Sequence, residues 1–485
     1  MDAFIKAIHS LIGLGNDYIW GGNPIFWNKM GLLVFVLIAV GLFFTLGTRF
    51  VQIRFLKDGF KMMLQGRGHL SKGDISPFQA FVTGLASRVG TGNIAGVATA
   101  IAVGGPGAIF WMWITALLGM ASAFAESTLA QVFKINHHDN TFRGGPAYYI
   151  QKGLGSRGWG VAFALSLILA FGFVFNAVQA NSIVAATQGA WGWNPLYVGI
   201  GLVLLTMPII FGGMRTIART AELIVPIMAI LYLGVSFFVV VTHLEELPVL
   251  LMRIINGAFG LEQVAGGVAG SAIQAAMSNG IKRGLFSNEA GMGSAPNAAA
   301  IATTRHPVNQ GIVQMMGVFV DTILICSSTA FIVLLADVSP DLGLKGVALT
   351  QKAMEVTMGP WAVNFLAVAV FLFAFTSVIG NYAYAEGNLE FINKKPVALF
   401  LFRVTVLVMV MLGALIEVPV VWDMADLAMG IMALINLGAI ILLSKTLFVV
   451  LNDYESQRSA NIAKPIFKAQ EYPELAKKIE HDVWQ

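Results

Sequence analysis

Charge is scarce in this chain. Only 12% of its 485 residues are Asp, Glu, Lys or Arg, against about 25% in an ordinary soluble domain. Hydrophobic residues make up 57%, and the mean hydropathy is +0.75. A water-soluble core cannot hide that much apolar surface, so the chain reads as a polytopic membrane protein. Cysteine is nearly absent. Cys326 is the one cysteine and lies in an apolar run, so no intramolecular disulfide can form. The seven histidines are scattered, and the His137-His138 pair sits in a polar stretch. They form no acid/base or metal constellation, which argues against a membrane-embedded enzyme. The first twenty residues lack a basic start, a long apolar middle and a small-residue cleavage site. They read as a surface helix instead of a signal peptide.

Long apolar runs are plentiful. A window of about 20 residues marks about eleven spans: 30–46, 80–103, 109–133, 159–187, 196–211, 223–241, one within 254–307, 312–335, 361–379, 397–416 and 427–451. Basic residues fall on alternate connections. Arg49, Arg54, Lys57, Lys61, Arg67 and Lys72 follow the first span, whereas the connection at Gly104-Gly105-Pro106 has none. Lys134, Arg143, Lys152 and Arg157 follow the third span, Arg215 and Arg219 the fifth, and Lys394-Lys395 the ninth. This positive-inside pattern places the N-terminus outside and the C-terminus in the cytoplasm. The net charge of +4 therefore reflects topology, and no nucleic-acid partner is expected. The tail beyond Leu451 mixes acids and bases and is given no function.

Two spans are interrupted. Ala80–Val103 would cross the bilayer, yet it carries Gly90-Thr91-Gly92-Asn93 at its middle. Non-helical backbone at that depth is tolerated where it is buried in protein or lines a cavity. Residues 254–307 would reach roughly twice the bilayer core as one helix, so they must break. Gly266-Gly267-Val268-Ala269-Gly270-Ser271 is the expected break, because it leaves Lys282 and Arg283 at the cytoplasmic end. A break at Ser287-Asn288-Glu289-Ala290-Gly291 would put those charges deeper. The two breaks lie five spans apart. Paired glycine-broken helices in corresponding positions mark a transporter's central site.

The chemistry at the first break suits a small zwitterion and a cation. Glycines let backbone approach a ligand, and the second half-helix aims its N–H groups and positive dipole end at the cavity. Gly90-Thr91-Gly92-Asn93-Ile94-Ala95 formally fits a dinucleotide fingerprint, but its flanks are membrane helix and not a βαβ unit. Gln179 and Asn181 in the fourth span bind substrate or join helices. Gln274, Ser278 and Asn279 follow the expected seventh-span break and carry the same two readings. Asp321, mid-way along the eighth span, ligates a cation or anchors the broken seventh helix. Thr376-Ser377 in the ninth span is a candidate sodium-ligand pair, since hard cations take oxygen ligands. Glu126 suits a gate or packing role, and Arg88 and Arg403 pair with acids or snorkel.

Three long stretches carry a resemblance: Val89–Ile101 (VGTGNIAGVATAI), Gly104–Gly119 (GGPGAIFWMWITALLG) and Arg283–Pro296 (RGLFSNEAGMGSAP). Together they resemble the alanine/glycine:cation (sodium:alanine) symporter family from about Met30 to Leu451. The resemblance implies an all-α, leucine-transporter-like fold: a five-plus-five inverted repeat with one extra N-terminal helix. On this chain that gives an interfacial segment 1–29, the extra helix 30–50, repeats 80–241 and 254–451, and a cytoplasmic tail 452–485. It implies sodium- or proton-coupled uptake of a small neutral amino acid across a bacterial inner membrane. Substrate and ion contacts would fall at Gly90, Thr91, Gly92 and Asn93, and Gln179 matches the family's fourth-span polar position. Many members carry Trp where this chain has Asn381. An amide there enlarges the pocket, adds hydrogen bonding and makes glutamine a candidate substrate.

Overall fold

The computed structural model describes residues 2–21, 31–65, 74–137, 141–261, 269–339, 342–416, 418–480 and 482–484. It is almost wholly helical, and a two-residue antiparallel pairing, Ile135–Asn136 with Phe142–Arg143, is the sole sheet among the described residues. Seven helices are long and apolar enough to cross a membrane: Gly107–Val132, Arg157–Trp191, Gly213–Thr242, Pro307–Leu335, Trp361–Ile392, Pro396–Leu415 and Val421–Leu442. Leu32–Gly47, Gly92–Gly104 and Pro195–Phe211 are shorter and apolar. Each expected span thus meets a helix, the seventh meeting Ala269–Asn288.

Local sequence explains the ends. Ser76 opens the second span with a reciprocal box: its hydroxyl accepts from Gln79 N–H, while Gln79 Oε1 accepts from Ser76 N–H, with Pro77 at the first helical position. Small residues then let helices touch backbone to backbone. A Cβ on Gly413 in the tenth span would overlap the Ala177 backbone of the fourth. Asn181 joins the same two spans, donating to Gly413 O at 3.2 Å and Ile416 O at 2.7 Å, the structural one of its two readings.

The N-terminal helix Asp2–Trp20 lies along the last span, with Trp20 Nε1 donating to Asp426 O at 3.0 Å and Asn16 Nδ2 to Asp423 O at 2.9 Å. The tail folds back onto the protein. After the helix Ser444–Ser459 it packs beneath the basic connections. Phe467 N–H donates to Arg305 O at 3.0 Å, Trp484 Nε1 to Gln131 O at 3.2 Å, and Lys152 pairs with Glu480 at 2.9 Å. His137 of the polar pair faces Glu390 at 3.4 Å, and His138 lies outside the described residues.

The seventh span departs from expectation. Gly266, Gly267 and Val268 lie outside the described residues, but Ala269, Gly270 and Ser271 already belong to a helix that runs unbroken to Asn288. The displayed discontinuity is at residues 289–294. There Glu289, Gly291 and Gly293 have φ of 58°, 83° and 87°, and a short helix, Ala295–Ala300, follows. The charge argument against this position fails because both cations are paired. Asp426 of the last span accepts from Arg283 Nη1 at 3.0 Å and Nη2 at 2.8 Å, and lies 2.6 Å from Lys282 Nζ. Arg283 also stacks over Trp422, 4.8 Å from the ring centre.

Candidate functional site

The first break is where it was expected. The helix Pro77–Arg88 stops at Val89, and the chain resumes at Gly92 through a widened, π-helical turn to Gly96 before the regular helix Val97–Gly104. Gly90, Thr91, Gly92 and Asn93 are all buried. Asn93 braces the gap, its Oδ1 accepting from Gly90 N–H at 2.9 Å. Gln179 reaches across from the fourth span, its Oε1 accepting from Thr91 N–H at 3.1 Å. Side chains therefore occupy two N–H groups that a ligand carboxylate would otherwise meet. Thr91 differs: its hydroxyl is buried and has no hydrogen-bond partner among the described residues. A buried hydroxyl left unsatisfied is costly, so a ligand is the natural partner.

The two breaks face each other. A Cβ on Gly92 would come within 3.1 Å of Ser287 Cα and 3.0 Å of the Phe286 ring. Glycine at position 92 is therefore what lets the second span approach the seventh. Asp321 ties this junction together. Its Oδ1 accepts from Asn93 Nδ2 at 2.6 Å, and its Oδ2 from Ser287 Oγ and Thr322 Oγ1, both at 2.9 Å. It lies in a π-helical segment, Phe319–Cys326, a distortion common at functional sites. Asn288 Nδ2 donates to Thr322 Oγ1 at 3.1 Å.

Ser377 flanks the first break on the other side. Its hydroxyl lies 3.0 Å from Ala86 O, 3.4 Å from Val89 O and 3.0 Å from Phe373 O. One proton cannot satisfy three carbonyls, so this is an oxygen-rich spot at the end of the first half-helix. Thr376 Oγ1, one residue before, bonds back to Leu372 O and Phe373 O, both at 3.0 Å. Asn381, one turn further on, faces Ser87 and Asn176.

Gln274, Ser278 and Asn279 stand eight to thirteen residues before Ser287 on the same helix, and the Ser278 hydroxyl oxygen is, like that of Thr91, buried with no hydrogen-bond partner among the described residues. Asn279 bonds back to Ala275 O at 2.9 Å. Gln274 lies thirteen residues before Ser287 on one helix, about 20 Å at the α-helical rise. Ser87, Asn176, Ser287, Asn288, Glu289 and Thr322 take part and were not foreseen. The polar density of SNEAGMGSAP held the signal, but a break there was set aside because it would carry Lys282 and Arg283 deeper. Glu126 packs against the break, accepting from Gly291 N–H at 3.2 Å and Asn436 Nδ2 at 2.7 Å. Arg403 pairs with Glu386 at 3.7 Å. Arg88 is buried, and its Nη1 donates to Gln314 O at 3.1 Å.

Comparison with known proteins shows the family and the fold. The chain is 49% identical over 462 residues to the probable sodium/glutamine symporter GlnT of Bacillus subtilis, covering 95% of this chain and 94% of that one. It is also 49% identical over 477 residues to the amino-acid carrier protein AlsT of the same organism, covering 98% and 97%. The crystal structure of MhsT in complex with L-phenylalanine superposes with a TM-score of 0.55 at 15% identity, covering 77% of this chain and 90% of that one. This likeness shows the leucine-transporter-like fold. The family model described as the sodium:alanine symporter family matches residues 13–469. The chain is a multi-pass membrane transporter and not an enzyme, and it belongs to the sodium:alanine symporter family.

Proposed function

We propose that this protein imports a small neutral amino acid of the alanine/glycine class together with sodium, by alternating access across a bacterial inner membrane. Its N-terminus is outside and its C-terminus cytoplasmic. Spans two to six and seven to eleven act as two inverted units, with the substrate between their broken helices. The observation that carries this reading is the partnerless Thr91 hydroxyl, buried where the two breaks meet. The substrate carboxylate sits on the half-helix starting at Gly92, displacing the side chains of Asn93 and Gln179 from the N–H groups they now occupy.

Sodium sits among Ser377 Oγ, Ala86 O, Val89 O and Phe373 O, with Thr376 beside them; Ser377 keeps its proton and offers a lone pair of Oγ. Asp321, bonded to Asn93 of the same break, supplies a negative charge. It accepts from Asn93, Ser287 and Thr322, with the Cys326 thiol at 4.0 Å, so it acts on the ion through its charge and through these partners. Labelled alanine, glycine and glutamine uptake into proteoliposomes, with and without an inward sodium gradient, tests the reading. Uptake that ignores the gradient would sink it.

A glutamine preference is the second reading. It is favoured by Asn381 in the pocket wall and by the relative named as a probable sodium/glutamine symporter. Proton coupling is the alternative to sodium, and a pH gradient imposed in sodium-free buffer separates the two.

A further inference from the structure

Hydrogen-bond accounting across the two breaks leaves one proton short. Ser87, on the last turn of the first half-helix, has a single hydroxyl proton. Its Oγ nevertheless lies 2.7 Å from Glu289 Oε1 and 2.7 Å from Asn381 Oδ1. Both distances are those of a full O–H···O bond, yet a hydroxyl donates once. The shortage would vanish if Asn381 turned its amide to present Nδ2 to Ser87. Asn381 is not free to turn. Its Nδ2 donates to Asn176 Oδ1 at 3.1 Å, so a turned Asn381 would set two oxygens against each other. Asn176 would then have to turn as well, but its Nδ2 donates at 3.1 Å to the backbone carbonyl of Gly172, which can only accept. That carbonyl fixes Asn176, which fixes Asn381, which takes the Ser87 proton. Nothing remains to bond Glu289 Oε1 unless the acid brings its own hydrogen. Ser294 donates to the other oxygen, Oε2, at 2.6 Å. A proton placed there would leave the shortage at Ser87 unchanged.

The groups facing Glu289 fit a neutral acid. Asp321 lies across the junction, Glu126 holds the same loop through Gly291 N–H, and the Tyr384 hydroxyl, which donates to Gly84 O at 3.3 Å, also faces Ser87 and adds no donor to Glu289. Among the described residues Arg88 is the cation that faces it; Arg88 donates to Gln314 O, and no ion pair joins it to Glu289.

We propose that Glu289 is a proton-binding site in the seventh-span break. It carries a hydrogen on Oε1 while the two breaks are held together, and donates it to Ser87 Oγ. The break is also where the proton would be let go. Glu289 sits at φ 58° where the helix Ala269–Asn288 ends, just ahead of the left-handed Gly291 and Gly293, so movement of the seventh span against the second separates it from Ser87. The O–H bond then breaks, and the proton passes to water entering from the open side, leaving the carboxylate. The release step rests on the alternating-access reading above. The protonation itself does not.

Infrared spectroscopy of the full-length protein in liposomes tests the site directly. The wild type shows the carbonyl stretch of a protonated carboxylic acid at neutral pH. That band is lost in Glu289→Gln and shifts in frequency in Ser87→Ala, which removes the acceptor of the proton. A wild-type spectrum with no band that either substitution alters overturns the proposal. The pH profile of sodium-driven uptake is the second readout. For one obligatory proton it falls about tenfold per pH unit above the group's pKa. In Glu289→Gln, whose amide donates to Ser87 permanently, it varies less than about twofold over the same range. An equally steep profile in that variant also overturns the proposal. Absence of gradient-driven uptake with the infrared band intact sinks the symport reading and leaves the proton site standing.

Discussion

Replacing Asp426 by Asn leaves two cations buried without their counter-ion. In the folded protein the Asp426 side chain is 1% exposed, that of Arg283 7% and that of Lys282 19%. The guanidinium is held in the bidentate geometry that makes such pairs strong. Breaking a buried pair by removing one partner costs about 3–5 kcal/mol, because the surviving charge stays desolvated. Unfolding entropy of about 2.1 cal/mol/K per residue over 485 residues comes to about 1 kcal/mol/K. The midpoint therefore drops by about 3–5 °C. Tryptophan fluorescence melting in detergent reads this directly, since Trp422 stacks on Arg283. The triple variant Lys282→Met, Arg283→Met, Asp426→Asn removes the stranded charges and recovers most of the loss. Two results refute the reasoning. One is Asp426→Asn melting with the wild type. The other is the triple variant melting lower than the single one, since replacing a whole buried ion group by apolar side chains is neutral or stabilising.

Other consequences are smaller in scope. Thr91→Val removes a hydroxyl that bonds nothing in this state, so the melting midpoint stays within about 0.5 °C while substrate KM rises about three- to tenfold, as for one lost hydrogen bond; equal KM values refute the ligand role. A Cβ on Gly90 would overlap Ser377 Oγ and lie 3.0 Å from Gln179 Oε1, whereas one on Gly96 finds its nearest atoms at 4.0 Å. Gly90→Ala thus lowers uptake tenfold or more, on the order expected for a 1 Å misplacement, and Gly96→Ala does not. Ser377→Ala raises the sodium concentration for half-maximal uptake; an unchanged value moves the ion elsewhere. Burial holds the His306 pKa below its usual 6.5, against the upward pull of Asp453. A neutral ring suits both contacts, Nε2–H donating to Asp453 at 2.9 Å and Nδ1 accepting from Val308 N–H at 3.2 Å. Because the folded-state pKa is depressed, the unfolded chain takes up the proton first. Stability is full above about pH 6.5 and declines as pH falls below it. Melting at pH 7.5 and 5.5 shows the decline, and His306→Gln flattens it.

The fold was largely legible because its signals are local. Apolar runs set the spans, basic loops alternate, and Gly90-Thr91-Gly92-Asn93 announces a break within four residues. Gln179, Asn93, Asp321 and Ser377 were picked out as polar side chains at membrane depth, and they do converge on that break. Gln274, Ser278 and Asn279 were chosen for following a break at Gly266-Gly267-Val268, which lies outside the described residues, whereas the discontinuity among the described residues is at 289–294. The π-helical turns at Gly92–Gly96, Ile168–Val174 and Phe319–Cys326 have no marker in hydropathy, because one extra residue per turn leaves composition unchanged.

The misplaced break shows where such reading stops. Charges at membrane depth are costly only while unpaired. The sequence displays Lys282 and Arg283 but not that Asp426, 143 residues beyond Arg283, stands against them. Supplied with that partner, the helix carries both cations inward without breaking, and the discontinuity moves to Glu289, where the backbone turns left-handed. The same shift changes the chemistry of the site. At Gly266-Gly267 the partner of Gly90-Thr91-Gly92-Asn93 would have been bare glycine backbone, able to offer only carbonyls and N–H groups. At Ser287-Asn288-Glu289 it is two hydrogen-bonding side chains and an acid, locked to Asp321, Thr322 and Ser87. On the function proposed above, cation, proton and substrate act through the same few hydrogen bonds at this junction. Substitutions at Ser87, Ser287 or Glu289 should therefore alter ion dependence and substrate affinity together. Independent effects on the two would show that the breaks do not share one network.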